Sequence, residues 1–245
     1  MTLGRTERRL STMVNFRDVG GLRTEEGYRI RPGRLFRGDS VQDITSTEVD
    51  VLADELGIRY IIDLRTGEEA IQQGRGPLGE RPVSYLNIPL VDVDGPMGPP
   101  GRVILDHYLD HLEGDPNLPV AIEAVANAVR LPTLVHCAAG KDRTGITLLL
   151  VELLVGVTEK DAKSDFLATA DHINEIVSRL RQWQRYANNM ARLSEEVYRC
   201  EEHSIDGFLE ELKARYGTAE QWALDKGVPA DSISQLRSRL LIDSC

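Results

Sequence analysis

A chain of 245 residues is long enough to bury one sizeable α/β core and short for two. With 41% apolar and 28% charged residues it has an ordinary globular composition, which excludes a disordered or fibrous chain. A formal charge of -10 at pH 7 argues against a general nucleic-acid or anionic-membrane binder, so any cationic site has to be local.

Three widely spaced cysteines, Cys137, Cys200 and Cys245, describe neither a disulfide framework nor a zinc site, and fit a reducing compartment. The arginine-rich start, Met1 to Leu10, leads into no apolar stretch, and nowhere do eighteen apolar residues run together. A cytoplasmic protein without membrane insertion is expected, with signal-less secretion compatible with the same sequence.

In chain order, Asn15 to Leu22 reads as an extended segment closing on the Gly20-Gly21 turn. Arg17 and Asp18 there either brace a pocket or pair locally to fix the first strand. Tyr28 to Arg37 alternates around Pro32-Gly33 like a hairpin at a sheet edge. Thr45 and Glu48 form a capping box for a helix whose apolar face is Val49, Leu52, Ala53 and Leu56, ending at Gly57.

The β-branched run from Ile58 reads as a buried parallel strand ending in Asp63-Leu64-Arg65. Ligands of open α/β sheets sit beyond the carboxyl ends of strands, so Asp63 and Arg65 are expected near the loop that follows Val135. Otherwise Asp63 caps the next helix or pairs with Arg65. Tyr85 to Leu90 is a further strand, and Asp92 and Asp94 follow it in a Gly/Pro-rich loop that reaches Gly101. Helical periodicity returns over 102–113 and about 119–130, with Pro119 suited to a first turn.

Next comes Leu134-Val135-His136-Cys137-Ala138-Ala139-Gly140-Lys141-Asp142-Arg143-Thr144-Gly145, a strand, a tight loop and a helix start. Small residues and a φ-permissive Gly140 let successive N–H groups point inward as a nest for a tetrahedral anion. The helix start adds partial positive charge, and a cysteine in that field is expected to react as the thiolate. Arg143 offers a bidentate fork, and the Thr144 hydroxyl can reach the sulfur or a phosphate oxygen, or cap the helix. The helix to Val155 is apolar apart from Glu152, as a central buried helix is.

Thr158 caps a short helix over Asp161 to Ala170. Then Ile173, Ile176, Val177, Leu180, Trp183, Ala187 and Met190 fall on one helical face, opposite Arg181, Arg185 and Arg192. This is either a cover for a site or an ordinary amphipathic helix with a solvated basic face. Three amphipathic helices close the chain, around Phe208, Trp222 and Leu236, and read as packing. The expected architecture is α/β, a central mostly parallel sheet flanked by helices.

The string from His136 to Gly145 resembles the signature of the cysteine-dependent protein tyrosine phosphatase superfamily. Its filling, Ala138-Ala139-Gly140-Lys141-Asp142 and then Thr144-Gly145, is similar to that of the bacterial tyrosine/serine phosphatases. Asn15 to Gly21, Asp63-Leu64-Arg65 and the order of the C-terminal helices share the likeness. It implies one phosphatase domain over 1–245 with a helical lid-like insertion at 171–203, and no cofactor or metal. It further implies Cys137 as nucleophile, Arg143 as charge clamp and Asp63 as general acid, with Ala138, Ala139, Gly140, Lys141, Asp142 and Thr144 around the substrate. Asp92, Asp94 and Asp142 remain rivals for the acid. The implied substrates are phosphotyrosine or phosphoserine proteins or phosphoinositides, Lys141 adding charge for a headgroup. A rhodanese-like sulfurtransferase and a non-catalytic phosphate-binding module are the competing readings.

Overall fold

The computed structural model describes residues 10–91, 101–193 and 195–243. Its β-branched runs become strands β1 (Arg17–Asp18), β2 (Tyr28–Ile30), β3 (Leu35–Gly38), β4 (Tyr60–Asp63), β5 (Ser84–Asn87), β6 (Thr133–His136) and β7 (Leu241–Asp243). Five of them form one sheet in the order β1-β3-β6-β4-β5, parallel except for β1 at one edge. β6 is central and buried along its whole length, so whatever follows His136 emerges at the carboxyl end of the middle of the sheet.

The period-2 alternation of these strands sorts side chains into two layers. Leu35, Ile62 and Val135 enter the larger apolar cluster, while their neighbours Phe36, Ile61 and Leu134 enter the smaller one on the other face. The smaller face is closed by Met13, Phe16 and helix α1 (Ser46–Asp50), which continues as a wide π turn over Val51–Glu55. The capping box of Thr45 and Glu48 is present, with both reciprocal hydrogen bonds.

The larger face is covered by α3 (Val103–Gly114), α4 (Asn117–Ala128), α5 (Asp142–Leu154) and α6 (Glu159–Leu167), with α2 (Gly67–Gln73) at the strand ends. In α5, Ile146, Leu148, Leu149, Leu150, Val151 and Leu154 are all buried, at roughly 2 kcal/mol of transfer free energy each. Glu152 is buried as well, and burial together with the nearby Asp165 pushes its carboxyl well above the usual range. Helices α7 (Ile173–Leu180) and α8 (Gln184–Arg192) follow, then α9 (Glu202–Tyr216), α10 (Ala219–Asp225) and α11 (Ala230–Leu240).

The hairpin expected over Tyr28 to Arg37 does not form. β2 instead pairs with the C-terminal β7, while β3 lies inside the main sheet between β1 and β6. All four residues of β3 are buried, and a strand that must bury both faces belongs inside a sheet. No helix among the described residues is long and apolar enough to cross a membrane.

Candidate active site

The loop after β6 turns on Gly140, whose φ is 66° and whose Cβ, if present, would lie 2.5 Å from the Gly38 carbonyl oxygen. No other residue satisfies both the left-handed backbone and the close approach. Helix α5 begins at Asp142, earlier than expected, so Arg143 and Thr144 sit in its first turn.

The peptides of the loop are held from behind. His136 Nδ1 lies 3.2 Å from the Cys137 carbonyl oxygen, and the Ala138 oxygen accepts from the Ser40 N–H at 3.2 Å. Asn15 donates its amide to the Ala139 oxygen at 3.0 Å, and Arg37 donates to the Gly140 oxygen at 2.9 Å. Because a peptide is planar and trans, each outward carbonyl turns the following N–H the other way. The N–H groups of residues 138 to 141 are therefore turned away from these partners, as an anion nest requires.

Arg37 and Arg17 are themselves fixed by Asp165 of α6, at 2.5 and 2.8 Å. Arg17 also donates to the Asn15 side-chain oxygen at 2.7 Å. Of the two sequence readings of Arg17, bracing prevails, through Asn15. Asp18 stays local, accepting from Gly20 and Gly33 N–H.

Arg143 is clamped by Glu69, which takes its two terminal nitrogens at 2.7 and 3.2 Å. Glu69 lies in the first turn of α2, where its carboxylate also closes a capping box with Thr66. Tyr186 of α8 donates to the same carboxylate at 2.5 Å. Burial opposes ionisation of Glu69, but Arg143 and then Tyr186 outweigh it and hold its carboxyl down at about 2.

A cavity of about 70 Å³ opens over the loop. Cys137, Ala138, Ala139, Lys141, Asp142 and Arg143 form its floor, and residues of α7, α8 and the following turn, Ile176, Leu180, Tyr186 and Tyr198 among them, form its walls. The Thr144 hydroxyl is buried and has no hydrogen-bond partner among the described residues. Lys141 reaches Asp142 at 2.5 Å, and the Tyr108 hydroxyl donates to the same carboxylate at 2.8 Å. Burial would push the Asp142 carboxyl up, but Lys141 and the Tyr108 hydroxyl hold it below the usual range.

Asp63 does not reach this cavity. It faces His136 across the β4–β6 register, is wholly buried, and spends its oxygens on Arg65, at 2.6 Å, and on the Tyr85 hydroxyl, also at 2.6 Å. Burial opposes its charge, yet His136 and Arg65 outweigh that and hold it far below the usual carboxylate range. A carboxylate with no open face is ill placed to meet a leaving group. The pairing with Arg65, one of the two alternatives read from the sequence, is what the fold contains. Asp92 and Asp94 lie outside the described residues.

Glu69, Asn15 and Arg37 had no part in the sequence reading of the site. The signal for Glu69 was present in Thr66-Gly67-Glu68-Glu69, a capping-box spacing directly after Asp63-Leu64-Arg65. For Asn15 and Arg37 there was none, since their partners lie more than a hundred residues away.

A thiol and an arginine line one cavity at the carboxyl end of a central parallel strand, an arrangement that suits an anion in an α/β fold. Residues 8–242 match the model of a tyrosine phosphatase family. The triple specificity protein phosphatase PtpB of Mycobacterium tuberculosis is 27% identical over 277 aligned positions, covering 96% of this chain and 99% of that protein. A tyrosine-protein phosphatase of Nostoc commune is 26% identical over 210, covering 80% and 70%. Among solved structures, P. aeruginosa TpbA in complex with pTyr aligns with a TM-score of 0.44 and 13% identity, over 83% of this chain and 91% of that one. The chain belongs to the tyrosine phosphatase family and is a protein-tyrosine-phosphatase-like enzyme. Neither the sulfurtransferase nor the binding-module reading is favoured by these matches.

Proposed function

We propose that the chain, as one domain over 1–245, hydrolyses phosphomonoesters in two steps through a phosphocysteine. The Cys137 thiolate attacks phosphorus in line, the P–O ester bond breaks, and the leaving oxygen takes a proton from an aspartic acid. Water then attacks phosphorus, the S–P bond breaks, and the same aspartate accepts the proton. The amides of residues 138 to 141 and the Arg143 fork stabilise the spreading charge, and the Thr144 hydroxyl eases departure of the thiolate. The observation that carries this reading is Arg143, clamped by Glu69 through both terminal nitrogens, lining the same cavity as Cys137.

Asp142 is the acid in this reading, in place of Asp63. It lines the cavity and its side chain is 20% exposed, whereas Asp63 is sealed beneath the loop. Lys141 keeps Asp142 ionised in the resting site. An incoming phosphate dianion draws the ammonium away and sets a like charge beside the carboxylate, and both changes favour taking up the proton that the leaving group needs. The largely apolar walls that α7, α8, Val197 and Tyr198 supply act as the lid within 171–203. The substrate class is phosphotyrosine or phosphoserine proteins or phosphoinositides, supported by the triple specificity of the M. tuberculosis relative.

Two measurements test this. Cys137→Ser is expected to abolish vanadate-sensitive phosphomonoesterase activity across phosphotyrosine, phosphoserine and phosphoinositide substrates, and full activity in that variant would exclude covalent cysteine catalysis. Asp142→Asn is expected to slow alkyl phosphates by roughly 100-fold and p-nitrophenyl phosphate far less, as loss of a general acid does. If that leaving-group dependence appeared with Asp63→Asn and was absent with Asp142→Asn, the acid would be Asp63.

A further inference from the structure

The walls of the cavity carry a feature that a mere cover does not need. Most of the contact between α7–α8 and the loop is apolar, with Ile176, Leu180 and Tyr186 packed on Ala138. Yet the Tyr186 hydroxyl passes through that apolar layer to the Glu69 carboxylate, with Gln73 donating to the hydroxyl from behind at 3.2 Å. Burial, then Glu69, push the Tyr186 phenol up, so it remains a donor at all working pH values. Each Glu69 oxygen thus has two donors. Arg143 and the Thr66 N–H share one, and Arg143 and Tyr186 share the other. Arg179 of α7 makes a parallel link, pairing with Asp39 at 2.8 Å and donating to the Ala138 carbonyl oxygen at 3.3 Å.

We propose that Tyr186 is a positioning residue for Arg143: when α8 lies over the site, its hydroxyl fixes the Glu69 carboxylate in the plane that holds the guanidinium fork toward the cavity. The proposal rests on the reading of residues 137–144 as the phosphate cradle and adds that closure of the lid completes that cradle. The physical reason lies in the geometry of a carboxylate. The Thr66 N–H, at the start of the helix that carries Glu69, anchors only one carboxylate oxygen, and Arg143 can follow the other as the χ3 torsion turns; Tyr186, anchored on α8, fixes that second oxygen and removes the remaining freedom. A fork aimed correctly is worth most in the transition state, where three equatorial oxygens share the charge, so the effect belongs in kcat more than in KM.

Tyr186→Phe removes the donor and keeps the ring that packs on Ala138. Orthovanadate, which needs the nest and the fork but no large opening, is expected to bind about tenfold more weakly, the scale of one hydrogen bond to a charged group. The kcat for p-nitrophenyl phosphate should fall by a similar factor with KM within about twofold. The measurement that isolates positioning is the double-mutant cycle with Glu69→Gln. If Tyr186 acts through Glu69, adding Tyr186→Phe to Glu69→Gln changes vanadate affinity by less than about twofold. Additive losses overturn the proposal, as does unchanged vanadate affinity in Tyr186→Phe accompanied by faster alkylation of Cys137, which would make the hydroxyl a latch only. Should Tyr186→Phe fold poorly, Gln73→Leu, which removes the donor behind the hydroxyl, is expected to weaken vanadate binding several-fold in wild type and not in Glu69→Gln; equal effects in both would count against the proposal. Activity surviving in Cys137→Ser would instead refute the phosphocysteine reading beneath it, and so the two failures are distinguishable.

Discussion

The two sides of the Cys137–Arg143 loop are held by different physics. Behind it, buried charges are paired with buried charges: Asp165 with Arg17 and Arg37, and Asp63 with Arg65. In front of it, α7 and α8 lay an apolar face on Ala138, and their outer arginines are solvated or paired at the surface, as Arg185 is with Glu68. Parting the rear would strand arginines and carboxylates in a dry interior, whereas parting the front exposes a few apolar side chains and leaves one buried acid, Asp39, without Arg179; burial already pushes that carboxyl up to about 6, so it can take up a proton instead of staying charged. The rear is accordingly expected to behave as a rigid frame and the front as a cover joined to it through Tyr186 and Arg179.

The largest effect that sharpens this contrast is expected from Asp165→Asn. It leaves Arg17 and Arg37 without their carboxylate, and urea unfolding at neutral pH should show a loss of about 3–5 kcal/mol, the cost of breaking a buried pair. A loss below about 1 kcal/mol would mean that water reaches the frame and that the contrast is false.

A smaller effect, with a defined pH window, belongs to Glu69. Its folded pKa of about 2 lies below the ordinary 4.5, so the stability it contributes is full above pH 4.5 and is lost as pH falls through about 2. Glu69→Gln should lower stability by roughly 2 kcal/mol at pH 7 and flatten the acid limb over that window. A variant whose acid limb has the wild-type slope would show that the Arg143 pair adds nothing to folding.

The smallest global change is expected at the cover. Ile176→Ala removes apolar contact with Ala138, and because α7 can lift away without unfolding the frame, overall stability should fall by under about 1 kcal/mol. Alkylation of Cys137 should accelerate at the same time. A drop as large as that of Asp165→Asn, with alkylation unchanged, would place α7 in the frame.

What a reader of the sequence can recover follows from how far apart the cooperating residues are. The parallel sheet, the loop between a strand and a buried helix and the Thr45–Glu48 cap are all written in contiguous residues, where a period of 2 or 3.6 or a short spacing carries the signal; the single helical face read from Ile173 to Met190 is instead split between α7 and α8, because the extended backbone at Trp183 interrupts the helix. Cys137 and Arg143 belong to this class, because one loop brings both to the same cavity. The position of β3 inside the sheet did not, since the same alternation suits a hairpin or two separate strands, and only long-range pairing with β1 and β6 decides between them.

The surroundings of the loop were decided by tertiary structure alone. The chain names Asp63 and Asp142 equally clearly, but only the three-dimensional arrangement seals Asp63 under His136 and Arg65 and leaves Asp142 at the cavity. In the same way, nothing local announces that Asn15 and Arg37 would turn the loop carbonyls outward, or that Tyr186 would meet Glu69 across more than a hundred residues. Local propensity and periodicity determine which segments are strand, loop and helix; the direction in which a buried polar group points is determined by whichever distant partner satisfies it, because an unsatisfied one costs too much to remain.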